Sequence, residues 1–127
     1  MAGMLKMWKQ RAARRLGQSA EAQACAELQA RGLRLVERNY RVRGGEIDLI
    51  MRAADGTLVF VEVRARSNAA AYGGAAGSVD ARKRRRIVLA ARHYLARLVE
   101  EPTCRFDVVA LEAGKLEWLP GAFSAEE

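Results

Sequence analysis

Residues 45–66, GEIDLIMRAADGTLVFVEVRAR, decide how the rest of the chain is read. The segments 45–51 and 57–66 are rich in β-branched and aromatic residues, so both are expected to be strands. Ala54-Asp55-Gly56 between them is a strong turn signal, and the two strands should form a hairpin. By strict alternation Glu46 and Asp48 share one face and Ile47 and Leu49 the other. On the second strand Phe60, Glu62 and Arg64 share a face, and Val59, Val61 and Val63 turn away. A three-residue turn centred on Asp55 sets Asp48 opposite Glu62, and Glu46 opposite Arg64. A two-residue Asp55-Gly56 turn shifts the register by one residue and separates them.

Directly opposed residues have Cβ atoms about 4.5–5.5 Å apart, and like charges there destabilise the pair. Two carboxylates set together in the most hydrophobic hairpin of a chain therefore need a counter-charge. A divalent cation is the simplest, because hard oxygen ligands hold Mg²⁺ or Mn²⁺. The competing reading makes Asp48 and Glu62 solvated charges on an amphipathic hairpin. The apolar character of both hairpin faces weighs against it.

Outward from the hairpin, the chain reads α-β-β-β-α-β-β. A helix is expected over 16–31, with Leu16, Ala20, Ala24, Cys25 and Leu28 as its apolar stripe and Gly32 as its C-cap. A strand follows over 33–40. After the hairpin, SNAAAYGGAAG at 67–77 reads as a flexible loop of small residues. A long helix is expected over 79–99, capped by Ser78 or Asp80 and stopped by Pro102. Its apolar face takes Ile87, Ala90, Ala91, Tyr94, Leu95 and Leu98. RFDVVALE at 105–112 has the continuous apolar centre of a buried parallel strand, and a short fifth strand over 116–119 follows the Ala113-Gly114-Lys115 turn. This is an α/β fold, a mixed five-stranded sheet flanked by helices. The domain should span 16–120, between a basic arm at 1–15 and a loose acidic tail at 121–127.

The chain has 127 residues, enough for one domain with a real core. Its 22 lysines and arginines against 15 acids leave a net charge of +7, which points to a polyanionic partner, nucleic acid first. No apolar run approaches the ~20 residues of a membrane span, and the N-terminal segment lacks the apolar stretch of a secretory signal. Cys25 and Cys104 form neither a metal-ligand spacing nor a disulfide framework and read as buried free thiols, consistent with a cytoplasmic protein. The single histidine, His93, turns away from the helix's apolar stripe. No nucleophile–histidine motif, phosphate-binding loop or dinucleotide fingerprint is present, so acyl transfer, NTP hydrolysis and redox chemistry have no support.

Arg82-Lys83-Arg84-Arg85-Arg86 forms the second signal. Five consecutive cations wrap the first turns of the long helix, so some must face the sheet. A helix N-terminus attracts phosphate, and these side chains add to it. The alternative is a solubilising face. Tyr72 in the preceding loop could stack on a base.

The blocks LGQSAEAQACAEL, RNYR, GGEIDLI, VFVEVR, YGG, KRRRI, CRFDVV and GAF occur in an order that resembles the YraN-like bacterial family. That uncharacterised family has a restriction-endonuclease-like fold similar to archaeal Holliday-junction resolvases. The resemblance implies a metal-dependent phosphodiesterase centre of Glu21, Asp48, Glu62 and the residue at 64. It implies Mg²⁺ or Mn²⁺ held by Asp48, Glu62 and Glu21, a nucleic-acid substrate with branched DNA among the candidates, and a homodimer. The departure is Arg64, where the family pattern has lysine, so turnover is expected to be weak. Lys83, at the start of the long helix, is the nearby lysine that could substitute. The alternative is a DNA- or RNA-binding module that keeps the fold without turnover.

Overall fold

A computed structural model of the chain describes residues 20–65 and 79–126. The basic arm, the whole 67–77 loop with Tyr72, and the first residues of the expected N-terminal helix lie outside the described residues. A five-stranded sheet carries the fold: β1 (Arg34–Val42), β2 (Gly45–Arg52), β3 (Leu58–Ala65), β4 (Cys104–Glu112) and β5 (Lys115–Phe123), in spatial order β1-β2-β3-β4-β5. Only β3 and β4 run parallel. A parallel neighbour needs a crossover, and the helix α2 (Ala81–Leu95) lies in that connection. The expected mixed α/β sheet and element order are found.

Each face of the sheet carries its own core. On one, α2 lays Ile87, Ala90, Ala91 and Tyr94 against Ile47, Ile50, Phe60 and Phe106. On the other, the helix at 20–30 (α1) packs Ala24, Cys25 and Leu28 against Leu49, Met51, Val59 and Val61. Gly32 ends α1 as expected, at φ +99°, where an L side chain is disfavoured. The Gly32 and Leu33 N–H groups donate to Gln29 and Leu28 carbonyls at 3.0 Å, and Leu33 packs in the same core as Leu28. That is a Schellman motif with its hydrophobic contact.

The β2–β3 turn is the three-residue one. Ala53 N–H donates to Thr57 O at 2.8 Å and Gly56 N–H to Ala53 O at 2.9 Å, with Gly56 at φ +92°. The pairs Leu49–Val61, Ile50–Phe60, Met51–Val59 and Arg52–Leu58 follow in the register that the turn predicts.

Two boundaries differ from expectation. Asp80 caps α2, its carboxylate accepting from Lys83 N–H at 2.8 Å, but the helix ends at Leu95, well before Pro102. There the backbone tightens to Arg97→Tyr94 and Leu98→Leu95 bonds, and Arg97 lies over the rings of Tyr40 and Tyr94. The fifth strand is longer than the expected 116–119 and continues through Phe123, so strand occupies the start of the segment read as a tail. Pro120-Gly121 reads as a stop, but an edge strand tolerates proline. Two tertiary contacts hold the extension. Phe123 stacks on Phe106 at 5.0 Å, and Gly121 N–H donates to Asp107 Oδ1 at 2.9 Å. Asp107 is fully buried, and Trp118 Nε1 and Arg105 Nε also donate to its carboxylate. A buried charge needs such a set of donors. Both cysteines are free, Cys25 buried and Cys104 half-buried.

Gly45 sets how closely β2 approaches α2. A Cβ there would lie 2.4 Å from Arg86 O and 3.1 Å from Ala90 N. Both are helix backbone atoms, so a Gly45→Ala change must push α2 off the sheet. It is expected to cost about 1–3 kcal/mol by overpacking. A thermal melt checks this, and an unchanged melting temperature would show that the contact relaxes freely.

Candidate functional site

The site begins where the sheet's alternation fails. Ile47 and Leu49 are two residues apart on β2, yet Ile47 packs in the α2-side core and Leu49 in the α1-side core. The expectation that they share a face is therefore corrected. Asp48 sits at the slip, and Asn39 of β1, beside it between the pairs Arg38–Leu49 and Tyr40–Ile47, has φ +51°. This left-handed conformation is one that asparagine tolerates better than most residues. The β2–β3 ladder stops at Leu49–Val61. Beyond it the Asp48 carboxylate, not a backbone carbonyl, accepts the Val63 N–H at 2.8 Å. Asp48 thus points into the gap between strands, toward Glu62.

Glu62 is buried, with only 4% of its surface exposed. Its carboxyl lies within hydrogen-bond reach of that of Asp48. No donor reaches Glu62 Oε2. Burial first and the Asp48 charge second push the Glu62 carboxyl up to about 8. Burial also raises Asp48, against the Val63 N–H and the Lys83 charge that favour its ionised form. Two acids this close cannot both ionise without a counter-charge between them. Glu21 reaches the same place from α1. Its carboxyl is raised by burial and by the Asp48 charge, while a hydrogen bond from the Asn39 side chain and the charges of Arg38 and Arg41 oppose the rise. Glu21 and Glu62 thus each feel the Asp48 charge. Among the described residues, however, no three carboxylate, histidine or cysteine groups stand together at metal-holding distance.

The cations come mainly from α2. Lys83 Nζ lies 3.2 Å from Glu46 Oε1 and 3.6 Å from Glu62 Oε1, whereas the Arg64 guanidinium is 3.8 Å from the same Glu62 oxygen. Burial disfavours the Lys83 charge, but Glu62 and Glu46 outweigh it and hold the ammonium protonated. Glu46 is not opposite Arg64, because the β2–β3 ladder has ended before it. It pairs with Arg41 on β1 and turns to Lys83, whose hydrogen bond, opposed by partial burial, lowers its carboxyl below the usual range. Sequence reasoning missed Asn39 and the Glu46–Lys83 contact. A polar residue in RNYR was the only available signal for the first, and the second spans 37 residues.

The five-cation run divides. Lys83 faces the acids, and Arg84 donates from Nε to Val79 O and lies over the Phe123 ring. Arg82 and Arg85 are exposed and Arg86 is half-buried. Arg64, Asp80, Arg82, Lys83 and Arg86 line a shallow cleft of about 270 Å³ beside Glu62. Asp80 already occupies the helix N-terminus, so anion attraction here rests on side chains.

The profile of the Uncharacterised protein family UPF0102 matches residues 20–111. A UPF0102 protein of Cupriavidus pinatubonensis is 63% identical over 110 residues, covering 87% of this chain and 86% of the relative. The chain belongs to the UPF0102 family. Another UPF0102 protein, from Albidiferax ferrireducens, is 62% identical over 112 residues, 86% of this chain and 87% of its own. One from Burkholderia pseudomallei is 57% identical over 114 residues, 90% and 78% respectively. The UPF0102 match runs from α1 almost to the end of β4, so it contains Glu21, Asp48, Glu62 and Lys83 and leaves β5 outside. Among the described residues of this UPF0102 chain, no helix is long and apolar enough to cross a membrane.

Proposed function

We propose that this UPF0102 protein binds nucleic acid and hydrolyses phosphodiester bonds at a metal-dependent site built on Asp48 and Glu62. The observation that carries the reading is Glu62 Oε2, a buried carboxylate oxygen without a donor, beside a second carboxyl. Two converging carboxyls, one with an oxygen that no donor reaches, are the hard oxygen ligands that fit Mg²⁺ or Mn²⁺. Asp48 and Glu62 would hold the ion, and Glu21, steadied by Asn39, would order solvent from the α1 side. When bound, such an ion polarises a phosphate and offsets its charge. Lys83 and Arg64 stand where they can hold the phosphate in line and stabilise charge on it. DNA is the favoured substrate, branched forms included.

The deciding experiment is a cleavage assay on branched, flapped and single-stranded DNA with Mg²⁺ or Mn²⁺, using Glu62→Ala as the control. Metal-dependent cutting that Glu62→Ala abolishes is expected; cutting that survives this change would locate the activity elsewhere. A non-catalytic DNA- or RNA-binding module is the second reading. Arg64 favours it, because a planar, permanently charged guanidinium replaces the compact amine of the family pattern.

A further inference from the structure

We infer that the edge strand β1 is a second phosphate-binding bank, so that a nucleic-acid backbone crosses the acid pair gripped on both sides. This rests on the nucleic-acid reading above and narrows its substrate to chains that continue past the site in both directions.

Two edge strands bound the sheet, β1 and β5, and both must avoid pairing with other chains. That shared requirement does not explain their charges. β5 carries one lysine and one glutamate, whereas β1 carries Arg34, Arg38 and Arg41 against Glu37 alone, and Arg43 follows in the turn. The β1 arginines are exposed, Arg41 to 74% of its side chain. Their charge reaches the site, because Arg38 and Arg41 both act on Glu21, the α1 carboxylate that also feels the Asp48 charge. Arg38 is held there by a 3.6 Å contact from its guanidinium to Cys25 Sγ. Across the acids, Arg64, Arg82, Lys83 and Arg86 line the α2 cleft. Glu46 lies between Arg41 and that cleft, and Lys83 holds it more closely than Arg41 does, at 3.2 Å against 3.7 Å. The carboxylates therefore lie in a trough with cations on both banks. A polyanion that ended at the acids would leave one bank without phosphates. A continuous strand satisfies both.

The test is the salt dependence of binding to a labelled DNA duplex, in linear and in covalently closed circular form, without added divalent metal. Each phosphate contact contributes about −0.9 to the slope of log K against log salt. Arg38→Gln and Arg41→Gln are each expected to flatten the slope by about that amount, additively with Arg82→Gln, while the lysine substitutions at 38 and 41 preserve it. Arg43→Gln serves as a further probe of the same bank if a glutamine variant loses its melting transition. The circle is expected to bind as well as the linear duplex. A slope flattened by Arg82→Gln but not by the β1 variants, or loss of binding to the circle, overturns the two-bank trough and leaves the nucleic-acid reading standing. A slope that neither bank affects removes both.

Discussion

Replacing Glu62 with glutamine is expected to stabilise the metal-free protein by about 2–4 kcal/mol at pH 8 and to change little near pH 4. The sign follows from the folded-state carboxyl standing at about 8, against an ordinary value of 4.5. Below pH 4.5 both folded and unfolded chains hold the proton, and the group costs nothing. Between there and pH 8 the unfolded chain releases its proton while the folded chain retains it. Stability is therefore lost as pH rises through this window, and glutamine, a neutral isostere, removes the loss. The same substitution removes a ligand, so Mn²⁺ should raise the melting temperature of the wild type and leave Glu62→Gln unmoved. Metal affinity of the wild type should climb over the same pH range, because binding displaces that proton. Chemical denaturation of both proteins across pH 4–8 is the measurement. Parallel stability curves would mean that Glu62 ionises without penalty, and the case for a cation at the site would collapse.

Lys83→Ala is expected to lower metal-dependent cleavage about a hundredfold, and adding Arg64→Lys to that variant should recover most of the loss. The lysine missing from β3 has a neighbour on α2: Lys83 Nζ is closer to Glu62 than the Arg64 guanidinium is, 3.6 Å against 3.8 Å. Both groups stay charged, so the difference between them is shape. A compact ammonium leaves room for an attacking water, while a guanidinium spreads over it. Misplacing reacting groups by about 1 Å costs on the order of a hundredfold. Single-turnover rates on a cleavable substrate, with binding measured alongside, separate the outcomes. If wild type does not cut and Arg64→Lys alone confers cutting, the amine must come from β3 and Lys83 is a structural cation. If no variant cuts while all bind, the protein is a binding module.

Much of this was legible in the sequence because it depends on local chemistry. Ala54-Asp55-Gly56 specifies its own turn, through Gly56 at a positive φ and an Asp55 carboxylate that accepts Thr57 N–H at 2.9 Å. The turn then fixes the hairpin register, which brings Asp48 and Glu62 together. Gly32 ends α1 and Asp80 starts α2 for equally local reasons. The apolar run of β4 foretold its parallel, doubly covered place in the sheet. What the sequence could not show depends on contacts between distant residues. The slip at Asp48 has no signature in Glu46-Ile47-Asp48-Leu49, which alternates without a fault. It arises because Asn39 on the neighbouring strand takes a left-handed turn and because the Asp48 carboxylate competes for the Val63 N–H. β5 runs past Pro120 because a buried aspartate on β4 needs the Gly121 N–H. Lys83 meets Glu46 and Glu62 only because Gly45, lacking a Cβ, lets α2 settle against β2. Local propensity thus determined the elements and the facing acids, while long-range packing decided where their charges point.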